Sequence, residues 1–521
     1  MIRLKLISFL CVLGCMCLTF CNQERNNNKE GNIYQEPHRP QVHYSPKESW
    51  MGPISGLLYY GGTYHLFYQY NPDTTFIGTM HWGHAVSKDL IHWNHFSIAL
   101  HPDSLGNILP GSVVVDRKNT SGFGSIHNPP LIAAFTYHNK EDDEYHQGFA
   151  YSLDSGRTWN KYKKNPILDN YNQEGFQNPD LIWHEESGKW IISLAANNEI
   201  RFYASRDLKN WNFLSSFGEK IEKYNGKWSK PDLFPLFGNG KNNRIRKWIL
   251  LIGVDEGGPN GGSATRYFVG DFNGETFSNE LKDIRWIDYG KDCYGGSTFS
   301  NIPNTEGRIY MGWMNNWEYA QLIPTHPWRG TLTFPRELNL KNIDGQYFLS
   351  STPIRNLEKL RMDSVNIQSL QITKEVNLTD ELSLNKLPIE MIMDFKTYNR
   401  TQIGFAENFG VKLSGDTNEL LVGYDNYNKV LYINRSKSGL TDFSDFFGQK
   451  IYAPYFQPDS ITSMHIIVDH SSIEVFVDEG KRTITGRYFN KNGWKNIGLY
   501  ARNGTVEFTG GKIYQLKSIW Q

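Results

Sequence analysis

Side chains able to attack carbon or move a proton are unevenly spread along this 521-residue chain. The 15 histidines are scattered, and none pairs with acids at the spacing of a metal site. Cys293 is the only thiol beyond residue 21, which excludes an internal disulfide or a cysteine-ligated metal there. The glycine-rich stretch from Gly257 to Ser263 lacks the lysine of a phosphate loop and does not open a helix. Carboxylates beside turns remain: Asp180, Asp255, Glu256 and Asp292. A turn or an ion pair is the ordinary use of each. The 29 tyrosines and 15 tryptophans mostly suit a β core, and the remainder suit a sugar, because flat rings stack on apolar sugar faces.

The elements that must position these groups are strands. Lys+Arg and Asp+Glu balance at 54 each, which excludes a strongly basic nucleic-acid binder. From about Gln41 onward, short strands alternate with Gly, Asn and Asp turns. A weak repeat runs through them. Ser87-Lys-Asp89 leads to Trp93, Ser152-Leu-Asp154 to Trp159, and Ser205-Arg-Asp207 to Trp211; Asp271 to Phe277 is a degenerate fourth copy. A period of about 54–65 residues of β structure is too long for a hairpin and fits a four-stranded propeller blade. Residues 41–337 hold about five such periods, which predicts a five-bladed β-propeller. Residues 338–375 read as a linker, with a short helix near Leu357 and Leu360. Residues 376–521 return to period-two alternation, as in Ile473-Glu-Val-Phe-Val477, and predict a β-sandwich.

The start of the chain is a targeting segment. Arg3 and Lys5 precede an apolar run from Leu6 to Phe20, followed by polar residues. Residues 1–21 therefore read as a signal of the bacterial lipoprotein type with Cys21 lipidated, Cys15 being a competing match, and 22–40 as a polar tether. No later segment is long and apolar enough to cross a membrane. Export across the inner membrane and a lipid anchor are expected.

Longer strings then resemble glycoside hydrolase family 32, the levanases, inulinases and invertases. They include Gly62-Thr-Tyr-His-Leu-Phe-Tyr-Gln-Tyr-Asn-Pro72, His81-Trp-Gly-His-Ala-Val-Ser87, Gly312-Trp-Met-Asn-Asn-Trp317 and Ser471-Ser-Ile-Glu-Val-Phe-Val477. The resemblance covers about 38–521 and implies a propeller plus a sandwich. It also implies retaining hydrolysis of fructose linkages by three carboxylates, each in a short motif. This chain departs from all three. W-M-N-D-P-N-G reads Trp50-Met-Gly-Pro53-Ile-Ser-Gly56, so Pro53 stands at the nucleophile position. R-D-P reads Gln177-Asn178-Pro179, and E-C-P reads Ser229-Lys230-Pro231. F-S-G-S reads Leu109-Pro110-Gly111-Ser112, and Ile77 stands for a family tryptophan. Trp50, Gln69, Asp292, Tyr294 and Trp317 match sugar-holding positions.

Two readings follow. The first is a non-catalytic binder of fructan or a related glycan, with Gln177, Asn178, Ser229 and Lys230 contributing hydrogen bonds where carboxylates stood. The second is an active fructan hydrolase using displaced acids, with Asp180, Asp255 and Glu256 as candidates. Asp180 follows Asn178 by two residues, about 7 Å further along a strand. Asp232, three after Ser229, is expected on the opposite face. No metal, cofactor or nucleic acid is expected in either case.

Overall fold

A computed structural model describes residues 33–520, apart from 142, 170–174, 219–220, 222–225, 240–243, 280–282, 304–307, 380–386, 397, 399–404 and 457–460. The signal segment, Cys15, Cys21 and most of the tether lie outside the described residues. Apart from one short 3₁₀ helix, the named elements are all strands.

Five blades of mainly antiparallel strands surround one axis, the fourth and fifth joined into one nine-stranded sheet where Gly238 pairs with Leu340. Their innermost strands are Ser49–Tyr60, Asn107–Val115, Gln177–His184, Trp228–Asn239 and Tyr294–Thr298. The ring closes where Ser300 pairs with Leu58 and where Trp328–Arg329 runs parallel to Ser49–Tyr60. Large apolar side chains fill the space between neighbouring sheets, as with Phe67, Trp82 and Phe135 between the first two. Burying both faces of every blade is what makes a ring of twisted sheets stable.

The Ser-x-Asp repeat is the turn joining third and fourth strands. Ser87, Ser152 and Ser205 donate to Asp89, Asp154 and Asp207 at 3.1, 2.8 and 3.0 Å. The following indole N–H of Trp93, Trp159 and Trp211 donates back to the carbonyl of Leu90, Gly156 and Leu208. In the fourth blade the turn is shorter, and Asn273 alone accepts from the Glu275 and Thr276 amides. That substitution explains why the fourth copy is degenerate.

The expected linker at 338–375 is a correction. Arg336–Ile343 and Gln346–Pro353 are the outer strands of the fifth blade, paired to Arg308–Trp313 and to each other. Arg355–Leu360 is the 3₁₀ turn, with Leu357 and Leu360 buried. Arg361–Ile367 already belongs to the sandwich, paired to Val506–Leu516. Alternation does continue into the first of these strands, where Arg336, Leu338 and Leu340 are buried.

The sandwich packs a seven-stranded sheet on a six-stranded one over a single apolar core. Its junction with the propeller is charged and buried. Arg336 donates to Asp288 at 2.8 Å and to Glu474. His43 bridges Asp469 at 2.7 Å and Glu474 at 2.8 Å. Asp292 accepts from Tyr319 and Arg435, each at 2.7 Å, and from the Arg487 amide at 2.9 Å.

Candidate functional site

All five innermost strands carry a register break at the same end of the axis. The breaks fall between Met51 and Ile54, at Leu109/Gly111, opposite Ser193/Ala195, between Ser229 and Asp232, and between Tyr294 and Ser297. A bulge inserts an unpaired residue and re-aims its side chain. The residues in these bulges explain why the sequence tolerates them. Pro53 and Pro110 have no amide to leave unpaired. Asn178 (φ 59°), Lys230 (φ 48°) and Gly295 (φ 53°) take left-handed backbone, which glycine and asparagine accept with little strain.

Together the bulges shape a cavity of about 480 Å³ at the mouth of the propeller. Pro53, Gln69, Gln177, Asn178, Ser229, Lys230, Tyr294 and Trp317 line it. The Ser229 and Tyr294 hydroxyls are 2.7 Å apart. Asn178 Oδ1 accepts from the Lys230 backbone amide at 3.3 Å, and the Asn178 backbone N–H donates to Thr136 Oγ1 at 2.8 Å. Gln69 donates to the Ile108 carbonyl at 3.0 Å. The Lys230 ammonium donates to the Gly111 carbonyl at 3.2 Å. Burial pushes its pKa down to about 8, with Asp232 and Asp180 opposing the shift.

Trp50 and Asp292 sit elsewhere. Trp50 is buried behind the wall, stacked on Trp317 at 6.4 Å between ring centres, and supports that ring from below. Asp292 is a correction: it is fully buried in the propeller–sandwich junction and engaged on both oxygens, so it is not part of the cavity. Asp255 and Glu256 stand on the cavity wall, with Asp255 accepting from the Lys227 amide. Burial and the neighbouring Glu256 charge raise the Asp255 pKa, while backbone hydrogen bonds hold it down.

Asp180 and Asp232 form the next layer down. The expectation that Asp232 faces away from the axis is overturned, because the bulge at Lys230-Pro231 shifts the phase of the strand. The second residue after each bulged position is Ser55, Ser112, Asp180, Asp232 or Ser297. Three of these five staple one blade to the next. Ser112 bonds the Pro179 carbonyl and the Leu181 amide, Asp180 accepts from the Leu233 amide at 2.9 Å, and Asp232 accepts from the Thr298 amide at 2.6 Å. Burial raises both aspartate pKa values; Asp232 adds to the rise at Asp180, and Arg308 opposes it at both. In the sequence this Ser/Asp layer stands at a constant spacing from the five bulged positions. Glu318 and Lys227 also line the cavity and carried no sequence signal. Lys291 holds Glu318 at 2.5 Å. Cys293 is buried against Tyr310, and burial pushes its thiol up to about 12.

Comparison with known proteins places this geometry. The profile for the glycosyl hydrolases family 32 N-terminal domain matches residues 43–353, and that for the family 32 C terminal matches 356–515. A levanase of Bacillus subtilis (strain 168) is 40% identical over 499 residues, covering 94% of this chain and 72% of the relative. An extracellular exo-inulinase of Aspergillus awamori is 33% identical over 527 residues, covering 94% and 96%. The crystal structure of exo-inulinase from Aspergillus awamori superposes with a TM-score of 0.85 at 31% identity, covering 94% of this chain and 100% of that one. A β-fructofuranosidase from Schwanniomyces occidentalis complexed with fructosyl-erythritol gives 0.85 at 28%, covering 93% and 99%.

Proposed function

The chain belongs to glycosyl hydrolase family 32, and from that premise we propose that its axial cavity holds fructan or a related glycan without cleaving it. One observation carries this reading: the five bulges aim Pro53, Pro110, Asn178, Lys230 and Gly295 at the axis, with Ser229 alongside, and none of these is an acid. Proline has no nucleophilic atom in any protonation state, and a serine hydroxyl is too weak an acid to protonate a leaving oxygen at neutral pH. Catalytic groups that act as a unit lose several powers of ten in rate when one is removed. The nearest buried acids, Asp180 and Asp232, are occupied by backbone amides of the next blade. What the cavity retains is a binder's equipment: the Trp317 ring backed by Trp50, the Ser229–Tyr294 hydroxyl pair, the amides of Gln69 and Gln177, and Lys230.

The test is to incubate the mature protein with levan, inulin and sucrose, assay released fructose, and titrate the same glycans calorimetrically. Binding without turnover is expected. A second reading rests on Asp255, whose pKa is raised by burial and by Glu256 beside it on the same wall, so that one of two neighbouring carboxyls is shifted toward the acid role. Fructose release that Asp255→Asn abolishes would establish that reading and end the first. The same proposal places the protein outside the inner membrane, held by lipid on Cys21. Labelled fatty acid should enter the wild type and Cys15→Ala but not Cys21→Ala.

A further inference from the structure

We propose that the outward face of the six-stranded sandwich sheet is a second glycan subsite, so that one polymer chain engages it and the axial cavity together. The proposal rests on reading the axial cavity as a fructan site and adds that the preferred ligand is a long chain. The floor of this face is a single cross-strand row: Tyr500 opposite Gly410, Gly410 opposite Gly423, Gly423 opposite Tyr432, and Tyr432 opposite Tyr452. The two glycines leave room for the tyrosines to lie along the sheet. A Cβ on Gly423 would meet the Tyr500 hydroxyl at 2.1 Å and the Tyr432 ring at 2.7 Å. The two hydroxyls bond each other at 2.6 Å.

Above this floor is an open concavity of about 560 Å³ with an excess of hydrogen-bond donors. The Lys450 ammonium sits 3.7 Å above the Tyr432 ring, and the Arg502 guanidinium 5.4 Å from the Tyr500 ring. Among the described residues neither has an ion-pair partner, and the Asn408 side chain makes no hydrogen bond. Asp425, the one acid present, already accepts from the Tyr427 and Asn428 amides. Cations fixed over aromatic rings are pre-ordered donors, so a hydroxyl-rich chain that satisfies them loses little extra entropy.

One loop contacts both the end of this floor and the wall of the axial cavity. Tyr452, at the end of the floor, exchanges both backbone bonds with the Asn260 amide side chain at 2.8 Å. Asn260 belongs to the glycine-rich loop that follows Asp255 and Glu256, and the Cβ position of Gly261 lies 3.4 Å from Glu318 on the cavity wall. Two weak sites on one rigid frame raise the affinity of a ligand long enough to reach both.

The test uses the intact mature protein, the Lys450→Glu/Arg502→Glu variant, Asn408→Ala and Trp317→Ala. Each is titrated with levan, inulin, a short fructo-oligosaccharide and polygalacturonate, and its folding is checked by thermal melting. The expected result is polymer binding about tenfold or more tighter than the short sugar. Lys450→Glu/Arg502→Glu should collapse that ratio, Asn408→Ala should lower it, and neither should move short-sugar affinity. An unchanged ratio in both well-folded variants overturns the second subsite. So does polygalacturonate binding as strong as fructan, which would mark a plain anion site. Polymer binding that survives Trp317→Ala, with no short-sugar binding in the wild type, would instead remove the axial reading and leave the sandwich subsite standing.

Discussion

At the junction of propeller and sandwich, Asp288, Asp292, Asp469 and Glu474 are buried, and each accepts hydrogen bonds on both oxygens. At the axis, Lys230 and Asp180 are buried as well, each with one side-chain hydrogen bond, while Asp232 is held on both oxygens by Thr298. The pKa shifts run in opposite senses. Burial would raise Asp469 and Glu474, yet their bonds to His43, with Arg336 beside Glu474, hold both below the ordinary carboxylate range. At the axis burial wins, raising Asp180 and Asp232 and lowering Lys230. Buried charge completed by hydrogen bonds is architecture; buried charge left incomplete awaits something else. Of these three axial groups, Lys230 lines the cavity, while Asp180 and Asp232 staple the blades beneath it.

The comparison breaks most visibly at Arg336. Arg336→Ala leaves Asp288 and Glu474 with an uncompensated buried charge and should cost about 3–5 kcal/mol in chemical denaturation. A variant within about 1 kcal/mol of wild type would mean the junction is not held by this network. The second test is pH. Burial would lower His43, but Asp469 and Glu474 outweigh it and push it up to about 9. Its folded pKa exceeds the unfolded value near 6.5, so its contribution is complete below that value and is lost as pH rises through about 9. Wild-type stability should therefore fall between pH 6.5 and 10 by up to about 3 kcal/mol, and His43→Gln should flatten that slope.

The axis should respond in binding rather than in folding. Trp317→Ala removes the half-exposed ring at the cavity wall and should weaken fructan binding about 30-fold, near 2 kcal/mol, in calorimetry. Its melting temperature should move little. The smallest effect is expected for Ser229→Ala, which leaves the Tyr294 hydroxyl without its 2.7 Å partner. About 1 kcal/mol in affinity is the expected loss. A larger drop in stability than in affinity there would place Ser229 with the architectural set.

Much of the architecture was legible because its signals are local. The Ser-x-Asp turns ending on Trp93, Trp159 and Trp211 need only residues a few positions apart, so the blade count could be read from spacing. The outer strands of the fifth blade beyond residue 337 were missed, because they are defined by pairing with Arg308–Trp313 and with each other rather than by a local turn signal. Asp232 was misjudged for a related reason. Alternation predicts its face only while the strand is regular, and the bulge at Lys230-Pro231 breaks the phase. Asp292 matched a sugar-holding position by motif, but Arg435 and Arg487, far along the chain, claim it for the junction.

Residue types and their order were enough to establish that Pro53, Asn178 and Ser229 are not carboxylic acids. That follows from composition, since no fold can give proline a nucleophilic atom. Which remaining acids face the cavity, and which are consumed in stapling blades or sealing the junction, depended on contacts between residues tens to hundreds of positions apart. Those contacts exist only once the ring has closed and the sandwich has docked, because burial and partnering, not side-chain identity, set the charge and reach of an acid.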